Sequence, residues 1–279
     1  MITNTIGLNA SRQLHQISNN QNRASERLAS GRRINRAADD AAGLAISERL
    51  LNQIAGLNQA LRNTGDAVSL VRTAEGAMGG ISDILARARE LTVQAASDTL
   101  TQSARGAIYS EISQILSEVD NIARRTEFNT MPLLDQNREF GFQTGANAGQ
   151  RLEAMINSMN LDNLGLSNFA QVFGDAAQSG VPAGGLILSG LLDTLDGAIG
   201  AVSGARAHIG AVENRLNHTA NNLANASVNA AAANSRIRDA DMALEMINLN
   251  RNNVLQQAAL SMVVASTNMQ RNHVARLLG

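Results

Sequence analysis

The residues able to do chemistry in this chain are few and badly placed for catalysis. Four histidines stand at positions 15, 208, 218 and 273, and none joins a second histidine and a glutamate in the His-Glu-x-x-His spacing that holds zinc on a helix. There is no Cys, hence no thiolate nucleophile and no disulfide framework. There is also no Lys, hence no phosphate-binding loop of the Walker type. The acids Asp39-Asp40 and Asp239/Asp241 have the residue types of a carboxylate pair or a calcium site. Each pair instead precedes a long helical pattern, where an acid accepts hydrogen bonds from free amides and meets the positive end of the helix dipole. Methionines 242, 246, 262 and 269 recur at helical spacing and suit adaptable packing against different partners in turn. No catalytic, cofactor-binding or metal set is expected, and the chemistry left is that of association.

The elements that would position an association surface are helical. Aromatics are 2%, with no Trp, one Tyr and five Phe, so the large anchors of a globular enzyme core are scarce. Only two Pro occur, at 132 and 182, in a background of Ala, Leu, Ile, Asn and Gln that favours long helices. Net charge is −1, which leaves no broad basic field for nucleic acid or acidic lipid. No run approaches the roughly 18 apolar residues of a membrane span. The terminal stretches also lack the basic face and interfacial aromatics of a membrane-active helix. The beginning, MITNTIGLNASRQLHQ, lacks the basic start and apolar run of a cleaved secretory signal.

Heptad spacing recurs through most of the chain. Ala10, Leu14, Ile17, Gln21, Ala24 and Leu28 alternate steps of four and three up to Ser30-Gly31, and a polar connector follows to Gly43. Leu50, Ile54, Leu57, Leu61, Thr64, Val68, Val71, Glu75 and Met78 continue the alternation. It slips at Gly79-Gly80 and resumes at Ile81, Leu85, Ala88 and Leu91. A helix from about Leu44 to Ser97 would be roughly 80 Å long. Ile108, Ile112, Ile115, Val119 and Ile122 mark a third helix, ending before Asn129 to Pro132. Between Phe140 and Ile156 the period falls to two on either side of a Gly/Asn turn, which predicts a β-hairpin. Asn157 to Gly185 shows no sustained period. Leu188, Leu192, Leu195, Ile199, Val202, Ile209, Leu216 and Leu223 restore the seam, with Arg206, Glu213 and Ala220 in its gaps. From Asp241 a last helix carries Leu255, Ala258, Met262, Ala265 and Met269 as a broad apolar stripe. The expected fold is mainly α, a long antiparallel helical rod or coiled coil formed by the N- and C-terminal halves, with a small β-hairpin.

These elements carry long motifs. Leu28-Ala29-Ser30-Gly31-Arg32-Arg33-Ile34-Asn35-Arg36-Ala37-Ala38-Asp39-Asp40-Ala41-Ala42-Gly43-Leu44-Ala45-Ile46 resembles the N-terminal motif of bacterial flagellins, with Arg or Ala at the usual Lys positions. Gln143-Thr144-Gly145-Ala146-Asn147 resembles that family's hairpin. Gly210-Ala211-Val212-Glu213-Asn214-Arg215-Leu216 and Asn234-Ser235-Arg236-Ile237-Arg238-Asp239-Ala240-Asp241 resemble its C-terminal motifs. Several long motifs in the right order are far more specific than any short pattern.

The resemblance implies a structural subunit that polymerises into the flagellar filament for swimming motility. It implies an inner helical domain from 1–43 with 236–279 lining the filament channel, and a rod domain from 44–160 with 186–235. The family's variable outer domains reduce here to a minimal loop at 161–185. Implied partners are other copies of the chain, the flagellar export apparatus, a chaperone holding the C-terminal segment, and the filament cap and junction proteins. The implied location is the extracellular flagellum, reached without a cleaved signal. The alternative within the flagellum is the hook-filament junction protein, whose motifs are looser than the run through Ala29 to Ile46. Arg87-Ala88-Arg89-Glu90-Leu91-Thr92-Val93-Gln94 resembles the stretch by which many flagellins are recognised by Toll-like receptor 5. Arg87, Leu91 and Glu111 fall at the family's main contact positions, although assembly alone would also select such charges.

The residues themselves define the expected mechanism. The terminal segments, about 1–30 and 241–279, have thin seams and little of their own to bury, so they are expected to order on docking to other copies. Leu14, Ile17, Leu28, Leu255 and Met262 are the packing residues expected to carry association.

Overall fold

The computed structural model describes residues 5–178 and 183–278. The first four residues, positions 179–182 within the expected loop, and Gly279 lie outside the described residues. The elements in order are α1 (Thr5–Ser30), α2 (Ala41–Ala95), α3 (Gln102–Arg125), β1 (Glu127–Phe128), β2 (Met131–Pro132), β3 (Arg138–Gln143), β4 (Arg151–Ile156), α4 (Phe169–Gln178), α5 (Ala183–Arg238) and α6 (Met242–Leu278). The fold is mainly α with small antiparallel β-pairs, as the periodicity predicts. Two compact units divide it, Met1–Ile54 with Ser227–Gly279, and Ala55–Ala226.

The Ala55–Ala226 unit is built on an antiparallel α2/α5 seam. Arg72 pairs with Glu213 at 2.8 Å, Glu75 with Arg206 at 2.9 Å and Arg89 with Asp196 at 2.6 Å, so position along α5 falls as position along α2 rises. Between these flanking pairs lie Ala60, Thr64, Ala67, Val71, Ala74, Met78, Ile81, Leu85 and Ala88, all buried. That register corrects the sequence reading. The expected Leu61, Val68 and Glu75 flank the seam, alanines occupy it, and the alternation runs through Gly79-Gly80 without a slip. On α5, Leu191, Ala198, Ala205 and Val212 are buried likewise, while Arg206 and Glu213 stand beside the seam as ion-pair partners. Small residues thus fill much of the buried row, and the longer charged neighbours pair along its edge.

Helix α3 returns along α2 and buries Ile108, Ile112, Leu116, Val119 and Ala123. Thr101 caps it, its hydroxyl accepting from the Ala104 amide at 3.2 Å. The buried Arg105 closes the corner between the two helices. Its Nε donates to the Ala95 carbonyl at 3.1 Å and its Nη2 to the Ser97 carbonyl at 3.0 Å, satisfying groups that the end of α2 leaves free.

The hairpin follows the period-two reading. Phe140 pairs with Ala154 and Phe142 with Leu152, and Leu152, Ala154 and Ile156 are the buried alternates of β4. Its turn presses on α2, where a Cβ on Gly56 would lie 2.8 Å from the Ala146 methyl. A second, two-residue hairpin, β1–β2, turns through Asn129 and Thr130, both at positive φ. The stretch expected to be least organised instead supplies core. Met159, Leu164, Leu166, Phe169 and Phe173 are buried, and α4 packs its Phe173 ring on Tyr109 of α3 with centroids 6.2 Å apart.

Candidate functional site

The acids before the long helices work as caps. Asp40 accepts from the Gly43 amide at 2.8 Å to start α2. Asp241 accepts from the Ala243 and Leu244 amides at 2.9 and 3.1 Å to start α6. Asp39 folds the connector instead, its carboxylate accepting from the Arg36 and Asn35 amides at 3.1 and 3.2 Å. The Arg36 bond first, and the Asn35 bond second, hold its carboxyl below the ordinary value of 3.8. Gly31 ends α1 at φ 66°, a conformation glycine adopts without cost. Its carbonyl accepts from the Ala240 amide at 3.0 Å, and Arg33 donates to the Arg238 carbonyl at 2.7 Å. The two connectors are thereby stitched into a short bridge. Ile34, only 1% exposed, anchors that bridge against Gly43, where a Cβ would come within 2.8 Å of the Ile34 side chain. Sequence reasoning treated this segment as polar linker and passed over Ile34, although an isolated large aliphatic in a polar run was the available signal.

These caps place α1 and α6 antiparallel to one another. Gln21 donates to Asn253 at 2.7 Å, and Arg27 pairs with the buried Glu245 at 3.0 Å. The line of α6 turned toward α1 is Glu245, Leu249, Asn252, Gln256, Ala259, Val263 and Ser266, a heptad row with mostly polar content. On α1 the matching row is Leu14, Ile17, Gln21, Ala24 and Leu28, of which only Ala24 is fully buried.

The apolar side chains of α6 therefore point elsewhere. Of the 18 large hydrophobics exposed among the described residues, ten belong to α6, so the unsatisfied apolar surface of the chain is concentrated on one helix. Leu255 is 41% exposed and Met262 60%. The expected stripe Leu255, Ala258, Met262, Ala265 and Met269 is exposed along α6, with Leu255, Ala258 and Met262 bordering α1. Of the five residues chosen from sequence, Ile17, Leu255 and Met262 line one groove of about 380 Å³ with Ala10 and Ala259. Leu14 and Leu28 lie elsewhere on the half-buried α1 row.

On α2 and α3, Arg87 is exposed and donates to Glu90 at 3.1 Å and to Glu111 at 3.2 Å. Those two bonds, Glu90 first, raise the guanidinium pKa above its usual value. Leu91 is 2% exposed and packs in the core, so of these three only Arg87 and Glu111 offer atoms to a partner. Among the described residues, no group of three or more His, Asp or Glu side chains is arranged to hold a metal ion.

With ten of its large hydrophobics exposed, α6 is the candidate association surface of the chain. Comparisons with known proteins give the family. Residues 1–139 match the bacterial flagellin N-terminal helical region and residues 192–278 the bacterial flagellin C-terminal helical region. The chain is 41% identical to a flagellin of Halalkalibacterium halodurans, covering 99% of this chain and 98% of that one. It is 40% identical to a flagellin of Bacillus subtilis at the same two coverages. To the flagellar filament 30.7 kDa core protein of Treponema maltophilum it is 39% identical, covering 91% of this chain and 90% of that one. The chain belongs to the bacterial flagellin family, and by that identity it is a structural subunit of the flagellar filament.

Proposed function

We propose that this flagellin polymerises through α1 and α6, the exposed apolar side of α6 docking on neighbouring copies. The observation that supports this most directly is the orientation of α6. A monomer that buried its own apolar stripe would have nothing left for neighbours. Here Leu255 and Met262 stand open beside Ile17, and burying a Leu or Met side chain is worth about 1.5–3 kcal/mol. Leu14 and Leu28, half-buried on the α1 row that meets α6, would hold together the pair that presents this surface. The α1–α6 contact leaves Leu14, Ile17 and Leu28 only half-buried, so we assign both helices to segments that order on docking and are largely unordered in the free subunit.

In this reading 1–43 with 236–279 forms the inner, channel-lining domain, and 44–160 with 186–235 the surrounding rod. Export without a cleaved signal, through the flagellar export apparatus, would deliver the chain to the tip beneath the cap. An export chaperone would meanwhile cover the methionine-rich α6. Negative-stain electron microscopy of the concentrated or salt-precipitated protein tests polymerisation. Filaments are expected, and persistent monomer under all such conditions would reject the reading.

A second role, recognition by Toll-like receptor 5, is favoured by one observation. Arg87, within the motif that resembles the receptor-binding stretch, forms an exposed charged pair with Glu111 on α3. A receptor reporter assay with depolymerised protein should respond, and should lose most of that response in Arg87→Ala. No response to the unaltered protein would remove this role.

A further inference from the structure

We propose that the groove between α1 and α6 at Arg23, Arg27 and Arg251 is an oxyanion-binding site, taking a phosphate- or carboxylate-class group. The groove has a volume of about 290 Å³, and its lining includes these three arginines with Asn248, Asn252 and a single acid, Glu245. Glu245 is already paired with Arg27 at 3.0 Å. Of the three guanidiniums, Arg27 is engaged by Glu245, and the charge of Asp39 outside the lining is felt by Arg27 and Arg23. The lining itself keeps an excess of positive charge, and neither Arg23 nor Arg251 makes a hydrogen bond or close ion pair among the described residues. Like charges converging on a groove repel each other until a counter-charge enters. Arginine presents planar forks that bind the oxygens of carboxylate and phosphate in pairs, and asparagine amides add neutral donors beside them.

The site rests on the assembly reading in one respect, because the groove exists only while α1 and α6 lie together. A ligand that binds only the paired form stabilises the pairing. Two sources supply the required chemistry, a free inorganic oxyanion or an Asp or Glu carboxylate of a second copy.

The test uses filaments of the full chain, sedimented with low-millimolar inorganic phosphate at an ionic strength fixed by chloride. The comparison variants are Arg23→Gln/Arg251→Gln and the charge-preserving Arg23→Lys/Arg251→Lys. If a free anion fills the groove, wild-type filaments retain stoichiometric phosphate, the Gln variant loses it and the Lys variant keeps it. If a neighbour's carboxylate fills it, wild-type filaments take up no phosphate. The Gln variant then dissociates at a lower temperature or fails to assemble, and the Lys variant restores assembly. Phosphate retained equally by the Gln variant overturns the proposal. So does a Gln variant whose filaments match a phosphate-free wild type in heat stability, or a Lys variant that restores nothing. If the wild-type chain forms no filaments, the assembly reading fails separately. The groove is then judged on the free subunit, where phosphate must raise helicity by circular dichroism in the wild type and not in the Gln variant.

Discussion

Along α2 the buried seam reads Ala60, Thr64, Ala67, Val71, Ala74, Met78, Ile81, Leu85 and Ala88. Along α6 the row turned to α1 reads Glu245, Leu249, Asn252, Gln256, Ala259, Val263 and Ser266. Both rows keep the same alternation of four and three, so the helical geometry is shared and the contents are reversed. In the first unit to be considered, Ala55–Ala226, the apolar residues face inward and the arginines pair across the rim. In the pair α1–α6 the Gln21–Asn253 and Arg27–Glu245 bonds lie among the half-buried Leu14, Ile17, Leu28, Leu249 and Val263, while ten large hydrophobics of α6 stay exposed. One region is finished within the chain. The other is cohesive toward whatever lies outside it.

Four experiments would break or sharpen that contrast. The largest effect is expected from Leu255→Asp with Met262→Asp. It should abolish filaments while leaving the thermal transition of the Ala55–Ala226 unit unchanged by calorimetry, because both side chains are exposed in the subunit. Normal filaments from this variant, or from a chain ending at residue 240, would refute the assigned surface. Met78→Ala tests the opposite region. Met78 is fully buried in the seam, and its truncation should lower the urea unfolding free energy by about 2–5 kcal/mol through lost contacts and a cavity.

Thr101→Ala should cost the same unit about 1 kcal/mol, since it removes only the cap on the Ala104 amide. The smallest effect concerns pH. Asp39 has a folded pKa below 3.8, so its contribution to the connector is present above that value and is lost as pH falls through the lower folded value. Amide protection at Asn35 and Arg36 should therefore hold through neutral pH and decline only in strong acid. In Asp39→Asn that acid step should be missing.

Much of this architecture was legible in the residues. The six-residue strands of the hairpin followed from Phe140 and Phe142 alternating across a Gly/Asn turn, and the helix starts from acids placed just before heptads. On α2 the seam reading holds at Leu57, Thr64, Val71 and Met78 and misses by one residue at Leu61, Val68 and Glu75, where larger side chains drew the assignment. Leu61 and Val68 carry a stronger hydrophobic signal than Ala60 and Ala67. Close helix packing nevertheless rewards the smaller residue at the contact, a preference that a hydrophobicity pattern does not contain. The α4 segment was missed because Phe169 and Phe173 sit among Asn, Gly and Ser in a helix of 10 residues, too short to establish a period. The β1–β2 turn uses Asn129, a residue that tolerates positive φ, but Thr130 beside it at positive φ carries no such marker.

The apolar residues of the terminal helices were legible in the sequence, but which of them meet across the α1–α6 pair was not. Helix α6 has aliphatic side chains on most of its circumference, so spacing alone could not say which line would meet α1. The polar partner rows decided it, because Gln21, Arg27, Glu245 and Asn253 satisfy one another only when those rows face. The burial of Leu91, which leaves Arg87 and Glu111 as the exposed members of that trio, likewise came only from the packing.

The Arg105 corner has a consequence for the order in which the molecule folds. Its partners Ala95 and Ser97 are ten and eight residues away, a separation that a flexible chain closes in about 10–100 ns. The α2/α5 ion pairs join residues 107 to 141 positions apart, and such long loops must be closed before any seam contact repays their entropy. The α2–α3 turn should accordingly be an early structure in the folding of a newly delivered chain. Helix α5 should then be recruited onto a scaffold that already exists.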